Sequence, residues 1–244
     1  MATQNARPDA SPLKRILLKL SGEAFRRDAA ARLDQAALGH VVDELTAARS
    51  LGAAIGVVVG AGNLVRGRET AFIDRATADQ MGMLATLING LALRDGLAQV
   101  GIGADVYSAI PTPWIDAMRP DLARATLADG RVAIFVGGTG NPFVTTDTAA
   151  AIRAAEIRAD ALLKASTVDG IYSGDPKTDP DAARLPTISY ERVIQDGLGV
   201  MDLAAIALCR ERAIPIGIYD YTQAGRLAQI VRGDPVGSWI TSAR

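Results

Sequence analysis

Residues 131–142 read RVAIFVGGTGNP. After one arginine, a short run rich in β-branched and aromatic side chains passes directly into glycines. An apolar run of this length suits a strand buried on both faces, and the glycines end it. The pattern repeats on either side. Residues 15–20 (RILLKL) end at Ser21-Gly22, and residues 53–59 (AAIGVVV) run into GAGN at positions 60–63. Further strands are expected at 104–108, 160–164 (DALLK) and 214–218. Helical spacing fits 34–50, with Gly52 as its stop, then 77–100 and 146–157. Alternating strands and helices predict an α/β fold. It should be a three-layer α/β/α sandwich with a mostly parallel central sheet.

The bulk composition sets limits. The 244 residues suffice for one large core or two small ones, and no internal repeat is evident. Formal net charge is −1, so no global field draws in nucleic acid or an acidic membrane. Residues 1–13 have no apolar signal-peptide core and read as a disordered lead-in; residues 14–244 read as one domain. The stretch 81–93 contains Thr86, Asn89 and Gly90, so it is too short and too polar to span a bilayer. It is expected to be a core or subunit-interface helix. Residues 173–186, with three prolines, are expected to form an exposed loop. Cys209, the only cysteine, lies in an apolar run and reads as a buried, inert thiol. A cytoplasmic protein is expected.

In open α/β sheets, ligands bind beyond the carboxyl ends of the strands. KLSG (19–22), GAGN (60–63) and GGTGNP (137–142) all sit there. Glycine lets backbone N–H groups approach an anion, and a helix starting after the loop adds its positive end. One such loop alone is more often a plain turn; three on one side of a sheet are harder to dismiss. Lys19 stands in an otherwise apolar strand, either as an edge-strand lysine or as a phosphate ligand. Lys164 repeats the pattern, and Arg66 offers a planar fork to a phosphate. Asp147 suits a helix N-terminus and, with cations beside it, a phosphate site; the two roles can coexist. GxxxxGK[ST] is absent, which excludes a P-loop, and no GxGxxG follows the first strand. The one histidine, His40, falls on an expected surface helix. One His and one Cys exclude a His/Cys metal site and a Ser-His-Asp triad.

Read in order, KLSGE (19–23), GAGNLVRG (60–67), ADQMGMLAT (78–86), GGTGNPFVTTD (137–147), LKASTVDGIYSGDP (163–176) and VMDLAA (200–205) resemble the bacterial uridylate kinases, a branch of the amino-acid kinase fold. The resemblance covers nearly the whole chain from Lys14. It implies transfer of the γ-phosphoryl group of ATP to UMP, with Mg2+ accompanying ATP. It divides the domain into a UMP-binding half, roughly 14–160, and an ATP-nucleoside half, roughly 161–244. The implied ATP residues are Lys19, Leu20, Ser21, Gly22, Gly62, Arg66, Ser166, Tyr172 and Asp175. The implied UMP residues are Ala61, Asp79 (on the ribose), Thr139, Gly140, Asn141, Pro142, Phe143, Val144, Thr145 and Thr146. Lys19, Asp147, Lys164 and Arg66 would carry the chemistry. GTP activation, UTP inhibition and a hexamer built from dimers are further implications. Two departures stand out: GAGN replaces the family's GGGN, and RRDAAARLDQ (26–35) replaces a longer, glycine-bearing segment near which the family places GTP activation. Competing expectations are a carboxylate or carbamate kinase of the same fold, and a nucleotide-binding regulatory protein without catalysis.

Overall fold

The structure, a computed structural model, describes residues 11–28, 30–65, 72–174 and 181–242. Its elements in chain order are β1 (Arg15–Leu20), α1 (Gln35–Ser50), β2 (Ala54–Val59), α2 (Arg75–Gln99), β3 (Ala104–Ser108), β4 (Asp116–Ala117), α3 (Pro120–Ala128) and β5 (Val132–Val136). Then follow α4 (Thr146–Ile157), β6 (Ala161–Ser166), β7 (Ile171–Tyr172), β8 (Arg184–Leu185), β9 (Thr187–Ser189), α5 (Tyr190–Gln195), α6 (Leu203–Glu211), β10 (Ile216–Asp220), α7 (Arg226–Arg232) and β11 (Ser238–Thr241). The main helices start where their caps predict. Asp34 accepts the Ala37 N–H at 2.8 Å, Asp74 caps α2, Thr145 caps α4 and Asp202 caps α6.

The main sheet has the order β4-β3-β5-β2-β1-β6-β10-β11-β9. Neighbours run parallel except β10 and β11, which are antiparallel. Strand alternation sorts the core into two layers. Ile16, Leu18 and Leu20 pack with α1, α2 and α7 on one face. Leu17, Phe135 and Leu162 pack with α3, α4, α5 and α6 on the other. The sandwich expected from the strand runs is therefore the architecture found. From β1 the chain builds outward through β2, then returns from β5 through α4 to β6, on β1's other side. The crevice above β1 and β6 is the switch point at which such sheets bind ligands.

Three expectations shift in detail. Leu13 is buried and donates its N–H to the Val231 carbonyl at 2.9 Å, so packing begins inside the 1–13 lead-in. Residues 1–10 of that lead-in lie outside the described residues. The loop expected at 173–186 contains β8, which pairs antiparallel with β7; each strand offers only two residues, too few for a periodic signal. In the helix expected from 81–93, Ala85, Thr86, Asn89, Gly90 and Leu93 are buried, while Leu84 and Ile88 stand 58% and 50% exposed. The helix thus has one face in the core and one apolar face outside it.

Candidate active site

Side-chain parity brings the two lysines together. Lys19 shares its face with Leu17, and Lys164 shares its face with Leu162, so both point toward α4. They are directly opposed in the parallel β1–β6 register. The first turn of α4 places Asp147 between them. Its carboxylate lies 2.8 Å from Lys19 Nζ and 2.9 Å from Lys164 Nζ. Lys164 Nζ also donates to the Val200 carbonyl. Lys19 and Asp147 are buried, at 8% exposure each. An edge-strand reading of Lys19 is therefore ruled out: β1 is central and its lysine is committed to an internal ion pair.

The electrostatics follow from two ammonium groups sharing one carboxylate. Burial pushes the Asp147 carboxyl up, but the charges and hydrogen bonds of Lys19 and Lys164 outweigh it and hold the group below the usual carboxylate value. Burial draws Lys164 below an ordinary lysine; Asp147 opposes that and Lys19 reinforces it. Two ammonium groups against one carboxylate leave the triad itself with a net positive charge, which suits phosphate oxygens.

The glycine loops surround this triad. A Cβ on Gly22 would collide with the Gly62 nitrogen, so only glycine lets the KLSG and GAGN loops touch back to back. Leu20 ends β1 in the core, and Ser21 accepts the Glu23 N–H at 3.3 Å to start the 3-10 turn Gly22–Phe25. Ala61 is not among the positive-φ residues, so alanine in place of the family's glycine brings no backbone strain. The loop 137–146 is shaped by positive φ at Gly137, Gly138, Gly140 and Phe143. With α2 it encloses a cleft of about 160 Å³, lined among others by Ala61, Asp79, Thr139, Asn141, Val144 and Thr146. Gly140, Pro142, Phe143 and Thr145 shape the loop without lining the cleft.

Asp79 was expected on the acceptor's ribose. It lines the cleft, and its carboxylate also accepts the Phe143 N–H at 2.8 Å and pairs with Arg75 at 3.0 Å. Of the residues expected on the ATP nucleoside, Ser166 closes β6 and its hydroxyl accepts the Val168 N–H at 3.3 Å. The Tyr172 hydroxyl donates to Asp169 at 2.7 Å. Arg66 and Asp175 lie outside the described residues. His40 is occupied with the Tyr221 carbonyl at 2.7 Å, and burial pushes the Cys209 thiol up to about 12, as an inert thiol requires. No three His, Cys, Asp or Glu among the described residues are grouped to hold a metal ion.

Asp202 was not singled out from the sequence. Its carboxylate accepts the Thr145 hydroxyl, the Thr148 hydroxyl at 2.7 Å and the Ala205 N–H at 2.8 Å. It joins α6 to the turn that carries Asp147. An aspartate before an apolar helical run signals an N-cap, but nothing local reveals the reach across to α4. Thr86 and Asn89, read from the sequence only as too polar for a membrane helix, and Asn63 of the GAGN loop are each buried beside a glycine loop.

The Amino acid kinase family model matches residues 14–220. A uridylate kinase of Brucella anthropi is 50% identical over 223 residues, covering 90% of this chain and 93% of its own. One from Magnetococcus marinus is 46% identical, covering 95% and 98%. Among solved structures, the UMP kinase of Bacillus anthracis superposes with a TM-score of 0.93 at 34% identity, covering 96% of this chain and 98% of its own. The UMP kinase of Ureaplasma parvum gives 0.88 at 30% identity, covering 94% and 99%. The chain belongs to the amino acid kinase family, in its uridylate kinase branch.

Proposed function

We infer that this protein transfers the γ-phosphoryl group of ATP to UMP, giving UDP and ADP, as a step of pyrimidine nucleotide biosynthesis. The observation that carries the reading is the Lys19–Asp147–Lys164 triad at the sheet's switch point, its Asp147 adjacent in the chain to Thr146, which lines the cleft with Asp79. A UMP phosphate oxygen attacks the γ-phosphorus, and the bond to the β–γ bridging oxygen breaks, releasing ADP. Near neutral pH the attacking oxygen has no proton to lose, so no general base is required. Catalysis is then positioning and charge stabilisation. Lys19 and Lys164 face the oxygens of the moving group, and Asp147 keeps both ammonium groups aimed.

The nucleoside of ATP is assigned to Ser166, Tyr172 and Asp175, its phosphates to residues 19–22 with Gly62 and Arg66, and UMP to Ala61, Asp79 and residues 139–146. An ATP-dependent kinase uses a divalent cation. We assign Mg2+, held mainly by the nucleotide's phosphates and water, because Asp147 is already taken up by two lysines. A cytoplasmic location, GTP activation, UTP inhibition and a homohexamer complete the proposal. Among the described residues, no helix is long and apolar enough to cross a membrane. ADP release, followed with UMP, CMP and acetylglutamate in parallel, tests the reading. UMP should be the preferred acceptor. Preference for acetylglutamate would assign the protein to a carboxylate kinase, and ATP binding without turnover would assign it to regulation.

A further inference from the structure

Helix α2 contributes more than Asp79 to the cleft. Thr86 and Asn89 follow on the same inward arc, seven and ten residues further along. Both are buried, at 2% and 0% exposure. The Thr86 hydroxyl accepts the Gly137 N–H at 2.7 Å and donates to the Met83 carbonyl at 2.6 Å. The Asn89 amide donates to the Gly60 carbonyl at 2.7 Å and to Asn63 Oδ1 at 2.8 Å, and Asn63 returns a bond to Asn89 Oδ1 at 3.0 Å. Asn63 donates again to the Arg32 carbonyl at 2.6 Å. One helix therefore grips the root of the acceptor loop, its tip through Asp79 and Phe143, and the start of the GAGN loop.

The close approach this needs is built in. A Cβ at Gly90 would collide with the Val136 side chain, so glycine lets α2 settle against the end of β5. An ordinary core helix would place apolar side chains at 86 and 89. Here the two polar side chains meet backbone groups of Gly60 and Gly137, where β2 and β5 run out into their loops.

We infer that Thr86 and Asn89 are positioning residues that fix the GAGN loop and the acceptor loop to a single rigid helix, and so set the placement of acceptor against donor. This rests on reading those loops as the substrate loops. Misplacement by about 1 Å can cost about a hundredfold in rate, so a shared anchor matters to transfer.

The test compares Thr86→Val, which keeps the shape and removes the hydroxyl, with Thr86→Ser, which keeps the hydroxyl. Each is assayed at a temperature where circular dichroism finds it folded. Thr86→Val should raise the KM for UMP roughly tenfold, the equivalent of one lost buried hydrogen bond, and leave the KM for ATP within about twofold. Thr86→Ser should return the UMP constant to within about threefold of the parent. Asn89→Leu should lower kcat at saturating UMP, because the GAGN loop lies between the two substrates. Amide hydrogen exchange across 137–147 is measured on the same proteins and should quicken in Thr86→Val alone. A fall in melting temperature with both KM values unchanged would overturn the inference. So would Thr86→Ser behaving like Thr86→Val, or unaltered exchange in the loop. If the parent does not turn over UMP, the substrate assignment fails, and the exchange result still decides whether α2 positions the loop.

Discussion

The two sides proposed to hold the nucleotides are built differently. The side proposed for the acceptor is one loop of glycines fastened at three points: by the buried Thr86 on Gly137 and by the half-buried Asp79 on Phe143 and Asp202 on Thr145. The side proposed for the ATP nucleoside is a hairpin of two-residue strands, β7 and β8, held by Asp169, Tyr172 and Arg184 at the surface and by the buried Ser238 hydroxyl, which accepts the Ile171 N–H at 2.9 Å. The Asp169 side chain is 55% exposed and that of Arg184 is 30% exposed. The contrast matches what each substrate end must do. An attacking oxygen needs placement to a fraction of an ångström, whereas a distant base needs only to be bound.

The largest effect should come from the charge that joins the two sides. Asp147→Asn leaves the buried Lys19 and partly buried Lys164 ammonium groups facing each other without a carboxylate between them, and should cost roughly 3 kcal/mol of stability, the low end for breaking a buried pair. Urea unfolding at neutral pH measures it; a loss under about 1 kcal/mol would mean the lysines do not depend on Asp147. In the parent, the depressed Asp147 carboxyl contributes stability that is present above the unfolded value of 3.8 and lost as pH falls through the folded value.

Asp79→Asn comes next. It weakens both the loop clasp and the proposed ribose contact, so the KM for UMP should rise about tenfold with the ATP constant unmoved. A change confined to ATP would reverse the assignment of the two sides. Alkaline titration is subtler. Lys164 loses its proton below the ordinary 10.5, so just under that value the unfolded chain binds more protons than the folded one. Stability should rise with pH there while kcat falls, because transfer needs the ammonium. Lys164→Arg should remove that fall in kcat from the accessible range; an unchanged limb would locate the titration elsewhere. The smallest effect is expected on the hairpin. Arg184→Ala removes a partly exposed ion pair worth under about 1 kcal/mol, and should change the KM for ATP no more than about threefold. A tenfold loss would erase the contrast between the two sides.

Much of this was readable in the sequence because its causes are local. Apolar runs ending in glycine mark strands and loops, and Lys19 and Lys164 stand out as charges in such runs. Their convergence on Asp147 was less legible: it needs the β1–β6 register and strand parity, which depend on topology. A strand near β10 was legible at 214–218, but its antiparallel partner β11 and the β7–β8 hairpin left no signal, since strands of two to four residues carry too little periodicity. Thr86 and Asn89 did leave one. Their polarity was enough to reject a membrane helix, but which backbone groups they meet is set by α2 packing across β2 and β5.

Single-turnover transfer of label from γ-labelled ATP to UMP, in the parent and in Lys19→Ala, tests the central claim most directly. The parent should form labelled UDP, and the variant should do so roughly a hundredfold more slowly or less, the loss expected when a preorganised charge on the reacting oxygens is removed. Labelled UDP formed at the parent's rate by Lys19→Ala would contradict the triad as the phosphoryl-transfer centre.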